Sequence, residues 1–435
     1  MSLIQKIKST NKEHLAWYLY DFGNSAYAAV ILLAVYSAYF KGEVVGGAEG
    51  SQLWGYSVGI AMLVVSVTAP ILGAIADYTA AKKRFLFFYS SMAWLFTGFL
   101  FFVQQGDVVL GMILFILAEI GYRSSQVFYN SLLPEIADPE EMGRVSGNAW
   151  AIGSAGGILA LLIILPMIII FDGTLIIRLS FIFTSLYFAV SSIPVFFWIK
   201  EKSAAKTLPE GKNYISIGFE RIVKTARSLS DFKDYIRFLI AFLIYNDGIL
   251  MALNFASIIG AVLFGMEQQQ LIIFMILVQF TSVFGAFIGG LLGDRLGYKR
   301  TLIFSLLLMM AAVVWMIFAQ TVIGFYIIGA LAGFSLTGVQ SISRTLVGMF
   351  APKGKSAEFY GFFAVTGRTS SFIGPTVYGL LAAQSAWWFE RQGYTVQLAE
   401  QLGQRIAIGS ITLFLLGGLL ILLKVGDPRK AFISS

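Results

Sequence analysis

The chain has 435 residues, of which 57% are hydrophobic and 13% charged, whereas soluble domains sit near about 45–50% and about 25%. That balance describes a polytopic membrane protein. Cysteine is absent and histidine occurs once, as His14, which excludes disulfides, thiol chemistry, iron–sulfur clusters, thiolate zinc and any histidine-built metal or haem centre. The net charge of +7 reads as juxtamembrane topology rather than as a nucleic-acid surface.

At the N-terminus Lys6, Lys8 and Lys12 precede His14, expected in solvent or at the interface, and an apolar segment long enough to span, with no evident small-residue cleavage site. Twelve apolar runs of the length that crosses a bilayer follow, near 16–40, 52–76, 85–103, 108–133, 146–171, 178–199, 236–263, 268–292, 302–319, 322–350, 358–383 and 407–425. They are continuously apolar rather than alternating, so the fold class is an all-α polytopic membrane protein and not a β-barrel. Six spans (1–199) are divided from six (236–435) by a polar linker, 200–235, in which Ile215, Phe219, Ile222 and Val223 form the apolar side of a surface helix carrying Arg221, Lys224 and Arg227.

In span one Asp21, Asn24 and Ser25 share a face close to the span's start; helix capping, gating and ion coupling all fit Asp21. Span four carries Glu119, Arg123, Gln126 and Asn130 at spacings of four, three and four, a polar stripe on one helical face. Intramembrane ionisable residues are costly and functional by default. Glu119 lies roughly 16 Å into its span at helical rise, and the Glu119/Arg123 pair is either a structural ion pair or a cavity-lining pair that opens to substrate or proton. In span seven Asp247 lies at a similar depth, with Asn254 on nearly the same face. Gln340 and Arg344 in span ten and Arg368 in span eleven are candidate anion partners or gate cations. The runs Gly153-Ser-Ala-Gly156-Gly157 and Gly374-Pro375-x-x-x-Gly379 read as sites of close helix packing. Trp17, Trp54, Trp94, Trp198, Trp387 and Trp388 are expected in interfacial belts.

An even number of spans puts both termini on one side. The loops on that side carry most of the 31 Lys and Arg against four on the other, Lys41, Arg178, Arg391 and Arg405. The termini and linker are therefore expected in the cytoplasm, despite an acidic turn at Glu135, Asp138, Glu140 and Glu141.

One loop is written twice. Gly73-Ala-Ile-Ala-Asp77 leading to Lys82-Lys83-Arg84 follows span two, and Gly290-Leu-Leu-Gly-Asp294-Arg295-Leu-Gly297-Tyr-Lys299-Arg300 follows span eight. Each glycine is expected to let its helix end closely packed, and the duplication implies two homologous halves. The loop resembles the signature loop of the major facilitator superfamily, which implies two pseudo-symmetric six-helix bundles and a conformational latch at Gly73, Asp77, Lys83, Arg84, Gly290, Asp294, Arg295, Gly297, Lys299 and Arg300. The first copy departs from the pattern, with Tyr78 and Ala80 where the second has Arg295 and Gly297.

Further stretches resemble one branch of that superfamily: Trp17-Tyr-Leu-Tyr20-Asp21-Phe-Gly23-Asn24-Ser25, Asn130-Ser-Leu-Leu-Pro134-Glu135 leading to Arg144-Val-Ser-Gly147, Tyr245-Asn246-Asp247-Gly248, Gly338-Val-Gln340-Ser-Ile-Ser-Arg344, Glu358-Phe-Tyr-Gly361-Phe and Gly374-Pro375. It is the branch named after the autophagy-linked vacuolar amino-acid effluxer, which has bacterial members. Arg123-x-x-Gln126 is also similar to a fourth-helix motif of proton-coupled members. The resemblance implies a secondary transporter of a small polar or amphoteric solute, amino-acid-like and exported, working as a monomer in a bacterial cytoplasmic membrane by alternating access. Its partners would be that solute and membrane lipids, with no nucleic acid, no metal and no cofactor beyond a coupling H+ or Na+. No Walker-type loop, histidine cluster or nucleophile–base set points to an enzyme. A lipid or amphiphile flippase of the same fold and a non-transporting receptor or scaffold are the alternatives.

Overall fold

The computed structural model describes residues 12–426 apart from 138, 172, 203–212, 214–215, 218–219, 221–222, 224–231, 351–358, 360–361, 364–365 and 368–371. Its long helices are α1 (Lys12–Val45), α2 (Gly47–Thr79), α3 (Lys82–Phe99), α4 (Val108–Ser131), α5 (Pro139–Ile170), α6 (Thr174–Trp198), α7 (Lys233–Phe264), α8 (Gln268–Leu296), α9 (Tyr298–Phe318), α10 (Val322–Phe350), α11 (Ile373–Arg391) and α12 (Val396–Leu423). Among the described residues eleven of these are long and apolar enough to cross a membrane. The remaining one, α11, is the described part of the predicted span 358–383, most of whose first half lies outside the described residues. Of the predicted linker helix, Ile215, Phe219, Ile222, Arg221, Lys224 and Arg227 also lie outside them, while Val223 is helical and exposed.

The helices overrun the apolar windows at their ends because backbone amides are satisfied helically wherever no breaker intervenes. α5 begins at Pro139 rather than near 146, and α1 begins at Lys12 rather than near 16. α1 is not a uniform α-helix. Its turns widen at Ala28–Ala34 and again at Phe40–Val45, where Val35 N donates to Val30 O at 2.8 Å and Gly46 N to Lys41 O at 2.9 Å. Side chains such as Phe88, Phe197, Phe318 and Leu413 are well exposed, as lipid-facing positions are when the solvent is hydrocarbon.

By contacts the chain forms two units, one of residues 1–36 and 67–219 and another of 37–66 and 220–435. The sequence repeat suggests a cut in the linker, whereas the contacts assign 37–66 to the second unit. Within the first unit the first part of α1, up to residue 36, packs on α5 and α6, and α3 packs on α4. A Cβ at Gly156 would overlap Phe22 O, and one at Gly153 would sit 2.6 Å from Asp21 Oδ2. The predicted small-residue run therefore does bring α5 onto α1. Within the second unit α8 packs on α10, α7 and α11 on α12, and α9 on α10. Gly374 lies where a Cβ would be 2.9 Å from Asp247 O, so the Gly-Pro stretch packs as expected too.

Candidate functional site

In the first unit the Trp17 motif is a clamp. Trp17 Nε1 donates to Tyr129 O and Tyr129 OH donates to Trp17 O, each at 3.1 Å, with the rings stacked 4.5 Å apart. Trp17 is buried, not in an interfacial belt. This reciprocal pair fixes the register of α1 against α4, so that Asp21, Asn24 and Tyr27, three residues apart, meet the polar stripe of α4.

Glu119 is fully buried. Its Oε1 accepts from Arg123 Nε at 2.7 Å; its Oε2 makes no hydrogen bond of ordinary geometry among the described residues, and the Tyr27 hydroxyl stands close enough to pair with the carboxylate. The Tyr27 and Tyr122 rings stack 4.4 Å apart beside it, and the guanidinium carbon of Arg123 lies 5.2 Å from the Tyr122 centroid. Asp21 stands close to Tyr20, Tyr122 and Tyr129, and Asn24 Nδ2 reaches its Oδ1 at 3.5 Å. Asn24 Oδ1 is a second buried acceptor with no hydrogen-bond partner among the described residues. The α4 stripe thus grades from sealed Glu119 through half-buried Arg123 and Gln126 to exposed Asn130. Chemically the site holds one carboxylate on the guanidinium, a second carboxylate nearby at Asp21, and spare acceptor capacity out of water.

In the second unit Asp247 and Asn254 are buried on one face of α7. Asn254 O accepts from Trp54 Nε1 at 2.8 Å, while its Nδ2 has no hydrogen-bond partner among the described residues. Trp54 was expected in an interfacial belt and is instead fully buried, because its indole N–H finds that carbonyl. Sequence reasoning also missed a polar chain beside it: Tyr378 OH donates to Gln404 Oε1 and Gln404 Nε2 donates to Ser51 Oγ, both at 2.7 Å. No signal marked it beforehand, since Gln404 stands in the polar stretch ahead of the predicted span 407–425. Gln340 is half-buried and Arg344 exposed, one turn apart on α10; Arg368 lies outside the described residues. A small apolar cavity of about 50 Å³ lies among α7, α8, α9 and α10, lined by Met275, Met309, Met316, Phe274 and Phe325.

The twinned loops do their structural work through lysines. Lys83 Nζ donates to Ile199 O at 2.6 Å, just past the end of α6. Lys299 Nζ donates to Leu423 O at 3.2 Å and to Val425 O, at the end of α12. Each satisfies carbonyls that a helix C-terminus leaves open. Lys82 is buried and pairs with Glu135 at 2.6 Å, which gives one acid of the turn after α4 its partner. Glu135 Oε2 also receives Lys202 N at 2.9 Å. Arg84, Arg295 and Arg300 are exposed, and for Asp77 and Asp294 only the backbone is described. The glycines behave differently from expectation: no described residue comes within 4 Å of a Cβ built at Gly73 or Gly290. The tight glycine is Gly297, at φ 98°, and its counterpart in the first copy is Ala80, at φ 49°.

Two of the basic residues on the opposite side cap helices in the same duplicated way. Arg178 of α6 donates to Phe101 O at 3.3 Å after α3, and Arg405 of α12 donates to Ile317 O and, at 3.0 Å, to Ala319 O after α9. His14, expected in solvent or at the interface, is part-buried with Nε2 2.8 Å from Ile136 O.

Comparison with known proteins agrees with this duplicated architecture. A family model described as vacuole effluxer Atg22 like matches residues 51–386. An MFS-type transporter of Bacillus subtilis, YxiO, is 26% identical over 86% of this chain and 90% of its own length. Autophagy-related protein 22 of Yarrowia lipolytica is 22% identical over 75% of this chain and 70% of its own. Among solved structures, a bacterial homologue of the lysosomal transporter Spinster superposes with a TM-score of 0.70 at 12% identity, covering 96% of both chains. A D-xylose–proton symporter gives 0.66 at 14% identity, covering 98% of this chain and 99% of the other; at such identities the likeness is one of fold. The two six-helix repeats, the twinned loop and the match over most of the chain make this a multi-pass membrane transporter of the major facilitator type, and the chain belongs to the vacuole effluxer Atg22 like family.

Proposed function

We propose that the chain exports a small amphoteric, amino-acid-like solute in exchange for protons, by alternating access, from a bacterial cell whose cytoplasm holds both termini. The observation that carries this reading is Glu119, fully buried, with one oxygen on Arg123 and the other making no hydrogen bond of ordinary geometry among the described residues. A buried charge is tolerated only when paired. An amphoteric solute supplies both complements: its carboxylate takes the Arg123 guanidinium, and its ammonium takes Glu119 Oε2. A proton on Glu119 removes the acceptor for that ammonium, so proton and solute compete for one group, which is the logic of exchange. Asp21 and Asn24 supply further acceptors beside the site, and Asp247 of α7 is the corresponding carboxylate of the second unit. Export agrees with the family description as effluxer, and the charge asymmetry of the loops supports the orientation.

The test is reconstitution in liposomes with labelled amino acids, sugars, nucleosides and lipids, with and without an imposed proton or sodium gradient. Exchange of amphoteric solutes driven by a proton gradient is expected. Movement of lipid or of uncharged solutes alone, drive by sodium alone, or no movement under any gradient overturns it.

A further inference from the structure

The apolar cavity of the second unit is a consequence of small residues. α7 presents Ala252 and Ala256 to it, four apart on one face, and α10 presents Gly329, Ala332 and Gly333. α8 closes onto the glycines, where a Cβ at Gly329 would overlap the Phe274 ring and one at Gly333 would overlap Val278 O. On the alanine side a space of about 50 Å³ is left, which Met275, Met309 and Met316 line from α8 and α9.

Every side chain lining this space is apolar. A water there would lack the two to four polar partners that hold one inside a protein, so the space suits hydrocarbon alone. The three thioethers favour a flexible occupant, because methionine adapts to irregular apolar shapes. The Phe274 and Phe325 rings, 4.3 Å apart and stacked, wall the end nearest the starts of α8 and α10.

The lining residues of α8 and α9 are buried, whereas Ala252, Leu253 and Ala256 of α7 and Ala332 and Leu336 of α10 keep some exposure. The space therefore opens between α7 and α10. On α10 its mouth continues into a polar track, since Ala332, Leu336, Gln340 and Arg344 stand four apart and share a face. Gln340 is half-buried and Arg344 exposed. Leu336 and Arg344 lie about 12 Å apart at helical rise, and long side chains on a helix lean back toward its N-terminus, here toward the mouth.

We infer that this slot and track bind a single-chain fatty-acid carboxylate. The hydrocarbon chain enters between α7 and α10 and ends among the methionines, and the carboxylate meets Arg344, with Gln340 beside the path. The match is one of chemical class: a narrow, wholly apolar end and a cationic end, joined along one helix face. A guanidinium is the side chain that takes a carboxylate through two parallel hydrogen bonds. The site goes beyond the transport reading, because it needs only the second unit and stands whether or not its ligand moves.

The probe is dodecanoate carrying a photoreactive diazirine at its chain end, irradiated with the full-length protein in phosphatidylcholine nanodiscs, with adducts mapped by mass spectrometry. Adducts are expected around Met275, Met309 and Met316, despite the excess of two-chain lipid, and excess unlabelled dodecanoate should suppress them. Dodecanol, which has the chain without the charge, should compete about tenfold more weakly, and Arg344→Gln should weaken dodecanoate binding by about tenfold, the scale of one charged hydrogen bond. Ala256→Leu fills the space with hydrocarbon of its own. It should abolish these adducts while keeping the unfolding midpoint at or above that of the wild type, as cavity-filling substitutions do. The comparison of dodecanol with dodecanoate is made on the wild-type slot and decides the matter even if the leucine is not accommodated. Adducts spread over lipid-facing side chains such as Phe304 and Phe318, or slot adducts that dodecanol suppresses as well as dodecanoate does, overturn the site.

Discussion

The residue that organises the first unit is Glu119, because its environment permits few states. It is sealed from water, holds Arg123 at 2.7 Å and keeps one oxygen without a hydrogen bond of ordinary geometry among the described residues. Glu119→Gln keeps the shape and the Arg123 contact through its carbonyl, but it cannot take up and release a proton. Because the Gln amide then presents an N–H where the solute's ammonium needs an acceptor, solute-for-solute exchange and proton-driven flux are both expected to fall by about tenfold or more, the scale of losing a required acid–base group. The check is flux in liposomes with equal and unequal pH across the membrane; full pH-driven flux in the variant would remove Glu119 from the coupling step. The polar stripe was legible in the sequence because four polar residues at helical spacing stand out in an apolar run. The grading from sealed Glu119 to exposed Asn130 was not, since burial depends on which helix lies opposite, and that is set by the Trp17–Tyr129 clamp.

A second residue-scale outcome follows from the imperfect copy of the loop. Ala80 holds φ 49° where the other copy has Gly297 at φ 98°. A left-handed backbone costs an alanine about 1–2 kcal/mol, partly offset by the greater freedom glycine gains when unfolded. Ala80→Gly should therefore raise stability by about 0.5–1 kcal/mol, read from the unfolding midpoint in detergent; Gly297→Ala should lower it by at least as much. The missing glycine was visible in the sequence, but the backbone it would have relaxed was not.

At the scale of elements, the twelve apolar runs announce the helices and fix neither their ends nor their mutual ties. Lys83 and Lys299 read as latch residues in the sequence and Arg178 and Arg405 as topology charges, and each proves to donate to carbonyls at the end of a neighbouring helix. The repeat makes this a rule of the fold, since α3 and α9 start beside the ends of α6 and α12, and end beside their starts. Removing one such cap leaves helix-end carbonyls without their charged donor. Lys299→Met should cost about 1–2 kcal/mol, the range of a charged hydrogen bond with a helix end, and Lys83→Met a similar amount. Lys299→Arg, which can still reach Leu423 O, should recover most of it. Denaturation midpoints of the three variants decide it; equal midpoints for Lys299→Met and wild type would mean that the cap contributes nothing.

At the scale of the molecule, the sequence repeat and the contact map divide the chain differently. The repeat is readable because duplicated loops survive in order. The contact division is not, because it depends on where residues 37–66 pack: they group with 220–435. If that grouping is one state of a cycle, a wedge in the seam between α2 and α11 should shift the molecule out of it. Gly379→Val supplies the wedge, since even its Cβ would lie 2.7 Å from Ser51 O and 3.2 Å from Gly55 Cα; a packed backbone contact yields to added atoms at a cost of about 1–3 kcal/mol. A shift of that size changes the ratio of docked to released protein by about tenfold, one decade per 1.4 kcal/mol. Ser51→Cys in this variant should accordingly react with an impermeant maleimide about tenfold faster. Gly409→Val is the matching control, because nothing lies within 4 Å of a Cβ there. Faster labelling with Gly379→Val alone ties the seam to the cycle, whereas equal labelling in both variants would make residues 37–66 a fixed part of the second unit and the repeat a record of ancestry rather than of motion.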